Sequence, residues 1–121
     1  MIIIDTSIWV DHFRRPLKAM QELIAEGQIA LHPYVYGELL LGGLPTKGVA
    51  AKQLLKLERS PVASASEAAA FIEWAELAGT GIGYVDSHLL VSAKLSAGAS
   101  VFTRDRRLRE QAERLAVAYI P

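Results

Sequence analysis

Cysteine is absent from this chain, so it can form neither a disulfide nor a zinc–thiolate centre, and any metal would have to be held by oxygen or histidine. The absence is compatible with a reducing compartment. No apolar run approaches the ~18 residues of a membrane span. No basic segment precedes the first apolar residues in the manner of a signal peptide, so a cytoplasmic protein without a membrane partner is expected. Net charge is missing as well, since 13 Lys and Arg balance 13 Asp and Glu, and bulk charge therefore announces no nucleic-acid partner. Its distribution says more, because Arg104, Arg106, Arg107 and Arg109 crowd into one short stretch while the acids lie more evenly along the chain. Repeats, linkers and low-complexity tracts are also lacking. With 121 residues and 51% hydrophobic content, a single domain spanning residues 1–121 with one core is expected.

What the chain does have begins at its first residues. Met1-Ile2-Ile3-Ile4-Asp5-Thr6-Ser7 opens on β-branched residues and closes on an acid and two hydroxyls, the pattern of a short strand buried on both faces that emerges at Asp5. In open α/β sheets ligands bind at the carboxyl ends of strands, which makes Asp5 a candidate for chemistry. Capping of the following helix is the plainer role, because Asp, Thr and Ser are all good N-caps.

Further along, short strands alternate with helices. Ile8, Trp9 and Phe13 recur at helical spacing over 7–14, and Pro16 suits the first turn of a second helix ending near Gly27. Ile29-Ala30-Leu31 reads as a strand, and Pro33 opens a helix through Glu38 to Leu41 that Gly42-Gly43 stops. A helix is expected over 49–59 with Leu54, Leu55 and Leu57 turned inward, followed by a very short strand at Val62-Ala63. Ser64-Ala65-Ser66-Glu67 matches a capping box for a helix through Ala78. The glycines of 79–83 form a loop without the preceding strand that a dinucleotide fingerprint needs. Asp86 then begins a helix ending at Gly98, residues 99–103 form a strand with Asp105 just beyond it, and residues 117–120 close the sheet. Strands separated by helices imply right-handed crossovers and a mainly parallel sheet covered on both faces, which is a three-layer α/β/α sandwich.

This layout gathers acids. Asp5 and Asp105 follow strands, and Asp86 and Glu38 lie on helices that can face the same edge. Asp86 and Asp105 could equally serve as helix-start charges, each worth ~0.3 to 1 kcal/mol against the dipole. Glu38 interrupts the apolar run of Val35, Leu39, Leu40 and Leu41, where an unpaired carboxylate is costly and a cation would relieve the cost. Crowded carboxylates raise one another's pKa, and a divalent ion reverses that penalty. Oxygen ligands without thiolates suit Mg²⁺, with Mn²⁺ as a substitute, and such sites perform phosphoryl chemistry.

Four stretches together resemble a known family. Residues 4–11 (Ile-Asp-Thr-Ser-Ile-Trp-Val-Asp), 37–42 (Gly-Glu-Leu-Leu-Leu-Gly), 86–93 (Asp-Ser-His-Leu-Leu-Val-Ser-Ala) and 102–108 (Phe-Thr-Arg-Asp-Arg-Arg-Leu) are similar, in order and across the whole chain, to the motifs of PIN-domain nucleases. More narrowly, they resemble the VapC-type toxins of toxin–antitoxin pairs. The resemblance implies a Mg²⁺-dependent endoribonuclease whose acidic cluster is Asp5, Glu38, Asp86 and Asp105. Asp5 and Asp86 would be metal ligands, with Glu38 and Asp105 acting partly through water or a second ion. Thr6 and Thr103 match hydroxyl positions that support the cluster. The implied partners are RNA and a VapB-type antitoxin, and the implied assembly is a homodimer that becomes a heterotetramer or larger with the antitoxin.

Competing readings remain to be separated. A receiver-like phosphoacceptor domain needs a Lys after a late strand, where this chain has Arg104 and Asp105. A PIN-like binding module without activity would have no need of all four acids. His12, His32 and His88 are scattered, and His88 reads as helix surface or as support for the cluster. Trp9, Phe13 and Trp74 sit in no basic stretch and read as core or protein interface. Arg104, Arg106, Arg107 and Arg109 are either a solvated helix face or phosphate contacts, and their place beside Asp105 favours the second. A basic residue on an antitoxin tail would be drawn to the acids, with Trp9, Phe13 and Leu39 to Leu41 as an apolar groove for the rest of it.

Overall fold

The computed structural model describes residues 1–121, and its centre is the first strand. β1 (Ile2–Ile4) lies between β2 (Ile29–Leu31) and β4 (Ser100–Phe102), with β3 (Glu58–Arg59) outside β2, so the order is β3-β2-β1-β4 and every pairing is parallel. Successive isoleucines of β1 point to opposite faces, yet all are buried, so both faces of the sheet must be covered. Burying each against leaving it in water contributes roughly 1.5–3 kcal/mol. The cover is seven helices: α1 (Thr6–Arg14), α2 (Lys18–Ala25), α3 (Pro33–Leu41), α4 (Val49–Leu54), α5 (Ala65–Trp74), α6 (Tyr84–Leu95) and α7 (Arg106–Arg114). The fold is the expected three-layer α/β/α sandwich. Because the strands are parallel, β1, β2 and β4 all end at one edge, where the Asp5 amide donates to the Phe102 carbonyl at 2.9 Å.

Local chemistry sets most boundaries. Pro33 begins α3 behind a His32 cap, and Ser64 and Glu67 form the reciprocal capping box of α5. Four expectations need correction. The helix over 49–59 stops at Leu54, leaving Leu55 exposed, and Glu58–Arg59 pairs with β2 instead. Val62-Ala63 accordingly forms no strand. α5 ends at Trp74 rather than Ala78, because Glu76 takes a positive φ of 55° that no right-handed helix accommodates. Residues 117–120 contribute only one parallel bridge, Ala118 against Val101.

Candidate active site

Asp5 directly follows β1 and caps α1, so a helix cap stands at the strand end where ligands bind in such sheets. One carboxylate oxygen accepts from the Thr6 amide at 2.7 Å, and the other accepts from the hydroxyls of Ser7 at 2.9 Å and Thr103 at 2.6 Å. Burial of a charge is tolerable there because the donors replace the lost water. Thr103 stands at the corresponding end of β4, and its hydroxyl also accepts from the Asp105 amide at 3.0 Å. Asp105 then caps α7 by accepting from the Leu108 amide at 3.0 Å. One buried hydroxyl thus ties the acid of the first strand to the turn carrying the last.

The other two acids come from helices. Glu38, on α3, accepts from the Thr6 hydroxyl at 2.8 Å, so Thr6 joins the first and second motifs across 32 residues. Asp86 lies in the first turn of α6 and accepts from the Gly83 amide at 3.1 Å. Its pKa is pushed up to about 6, first by burial and then by the charges of Asp5, Asp105 and Glu38, against a lowering from the Gly83 bond. The structure therefore brings all four acids within electrostatic reach of one another. No three His, Asp or Glu side chains converge tightly enough to enclose an ion by themselves. The donor set of carboxylates and hydroxyls has the hardness that Mg²⁺ or Mn²⁺ requires.

The arginines divide. Arg104 pairs with Asp11 at 3.0 Å, Arg106 with Glu110 at 3.1 Å and Arg109 with Glu113 at 3.1 Å. All three pairs are solvent-exposed; Arg106 and Arg109 lie on α7, and Arg104 precedes it. Arg107 is in no ion pair and lies across the loop before α6, where a Cβ on Gly81 would stand 2.9 Å from its Cδ. Gly81 also has a φ of +84°, a backbone conformation that favours glycine, whereas the flexible Arg107 side chain could move away from an added Cβ.

His88 is not helix surface. It is only 1% exposed, because α6 is buried continuously from Ser87 to Ala93, and neither ring nitrogen has a hydrogen-bond partner. Around it pack His32, Tyr34 and Tyr84, a cluster that single-residue reading of scattered histidines does not reveal. Sequence does carry one signal for it, as Tyr84 and His88 are four apart on a helix. Among the aromatics, Trp9 is core and Trp74 is exposed.

A model of the PIN domain family matches residues 2–114. The chain is 37% identical over 109 residues to Ribonuclease VapC32 of Mycobacterium tuberculosis, in strains CDC 1551 / Oshkosh and ATCC 25618 / H37Rv, a match covering 90% of this chain and 88% of that protein. In three dimensions it resembles the crystal structure of PAE2754 from Pyrobaculum aerophilum with a TM-score of 0.57 and 15% identity, over 95% of this chain and 88% of the other. That likeness speaks for the fold, whereas the family match over residues 2–114 spans all four acids. The chain belongs to the PIN-domain family, and within it to the VapC type.

Proposed function

We propose that this protein is a Mg²⁺-dependent endoribonuclease, the toxin of a toxin–antitoxin pair, acting in the cytoplasm. The observation that carries the reading is the electrostatic coupling of Asp86 to Asp5, Asp105 and Glu38 at the carboxyl edge of the sheet, in a chain of VapC type. Asp5 and Asp86 would hold Mg²⁺ or Mn²⁺, with Glu38 and Asp105 completing the set. Bound metal supplies Lewis acidity that makes a water nucleophilic and offsets charge on the departing oxygen. Thr6 and Thr103 fix the rotamers of Glu38 and Asp5 so that their oxygens are aimed before RNA arrives. Arg107, the member of its cluster in no ion pair, would meet a substrate phosphate, a role for which its freedom from an acidic partner speaks.

Support for an antitoxin comes from a groove of about 320 Å³ that begins at Glu38 and is lined by Val10, Phe13, Leu39 and Leu44. An amphipathic segment laid in it would bring a basic side chain against the acids. Trp74, exposed and with its ring 5.9 Å from that of Phe71, offers an apolar patch for a second copy, giving a homodimer and a heterotetramer or larger with antitoxin.

Incubation of the purified protein with total cellular RNA tests the reading. Cleavage is expected to stop with EDTA, return with Mg²⁺ or Mn²⁺, and leave 5′-phosphate ends, because water and not the ribose 2′-hydroxyl attacks. Ends bearing 2′,3′-cyclic phosphate would overturn it.

A further inference from the structure

Tyr34, Tyr84 and His88 form an aromatic cluster that contributes no ligand to the acidic site. Tyr34 lies in the first turn of α3, one turn before Glu38 and on the same face of the helix. Tyr84 begins α6, in the same turn as Asp86. Both rings meet His88 edge-on, at centroid distances of 4.7 Å each, so the buried imidazole is a spacer between them. Both tyrosines remain open to solvent, Tyr34 at 37% and Tyr84 at 55%. The support beneath is rigid: the Tyr34 amide donates to His32 Nδ1 at 3.0 Å, His32 Nε2 donates to the Ser92 hydroxyl at 3.1 Å, and that hydroxyl donates to the Pro61 carbonyl at 2.6 Å.

Two exposed rings on a fixed mount, Tyr34 one turn before Glu38 on the same face of α3 and Tyr84 two residues before Asp86 on α6, form a surface for a flat partner. Neither ring nitrogen of His88 has a hydrogen-bond partner, so what it contributes between the two tyrosines is its ring. We infer that Tyr34 and Tyr84, spaced by His88, are a stacking platform for an unpaired base of the RNA next to the phosphate being cut, and that they position the strand across the acids. The inference rests on the ribonuclease reading and adds to it where the substrate's base is held. Stacking is tolerant of base identity, so the platform would favour single-stranded over duplex RNA.

Binding is measured in an Asp86→Asn background, which allows binding without cleavage, with two probes: an oligoadenylate of about 12 nucleotides and an abasic ribose-phosphate oligomer of equal length. Tyr84→Ala and Tyr34→Ala are each expected to weaken oligoadenylate binding about tenfold and to leave abasic binding unchanged, and Tyr84→Phe to bind as the parent. Equal loss on both probes would mean a backbone contact or a damaged fold and would overturn the platform. Unchanged oligoadenylate binding in both alanine variants would also overturn it while leaving the ribonuclease reading intact. A parent protein that bound neither probe while the wild type cleaved total RNA would overturn the platform alone, and one whose wild type also failed to cleave would overturn both.

Discussion

The acidic site has two sides that differ in how completely they are satisfied. On the strand side, Asp5 takes three donors and Asp105 is pinned to the same Thr103 hydroxyl that holds Asp5. On the helix side, Asp86 has one amide donor and carries the charge of the other three acids in a pKa pushed up to about 6. The strand side is therefore built to stay as it is, whereas the helix side stores the repulsion that a cation would release. The comparison teaches that these carboxylates, interchangeable by type, are not interchangeable by environment.

Mutations on the two sides should fail differently. Asp5→Asn is expected to lose activity on the order of a hundredfold or more and also to lose stability, because an amide NH₂ would face donors that now point at carboxylate oxygen. Asp86→Asn is expected to lose activity as severely while melting higher than wild type at neutral pH without metal, which paired nuclease assays and thermal melts would show. Thr103→Val comes next, costing about 1–3 kcal/mol of stability through the stranded Asp105 amide and roughly tenfold in rate. Equal thermal behaviour of the two Asn variants would erase the distinction between the sides.

Acid titration sharpens it further. The folded-state pKa of Asp86 lies above its unfolded value of 3.8, so its contribution is fully present below pH 3.8 and lost as pH rises towards about 6. With solvent reaching part of the group, about 1 kcal/mol is expected rather than the full shift. His32 runs the other way: burial and then the charge of His88 lower its pKa from 6.5 to about 4, so its contribution is present above pH 6.5 and lost as pH falls through 4. Chemical denaturation between pH 4 and 8 should show Asp86→Asn removing only the first trend. The smallest effects belong to the arginines: Arg107→Ala should weaken RNA binding severalfold, and Arg106→Ala, whose partner is Glu110, should change it by less than twofold.

Much of this was legible in residue order. Three β-branched residues ending in an acid announce a buried strand with a functional tip, and Pro33, Gly42 and Ser64 mark boundaries through backbone chemistry that acts locally. β3 was not legible. Glu58 and Arg59 are exposed and only two residues long, so they lack alternation, while Leu54, Leu55 and Leu57 mimic a helical stripe. For the site, the positions of Asp5 and Asp105 could be expected from the strand ends, but Glu38 and Asp86 come from helices, and the hydroxyl wiring of Thr6 to Glu38 and Thr103 to Asp5 spans 32 and 98 residues and has no local signature. The burial of His88 depends on α6 being covered on all sides, a tertiary fact that its polar neighbours Ser87 and Ser92 disguise.

The most direct measurement is the titration of the Asp86 carboxyl by carbon-13 NMR, in the presence and absence of Mg²⁺. Without the ion the account predicts a midpoint near 6, falling below the ordinary aspartate value of 3.8 as Mg²⁺ is added. A midpoint already near 3.8 without metal, or one that Mg²⁺ leaves unmoved, would contradict it.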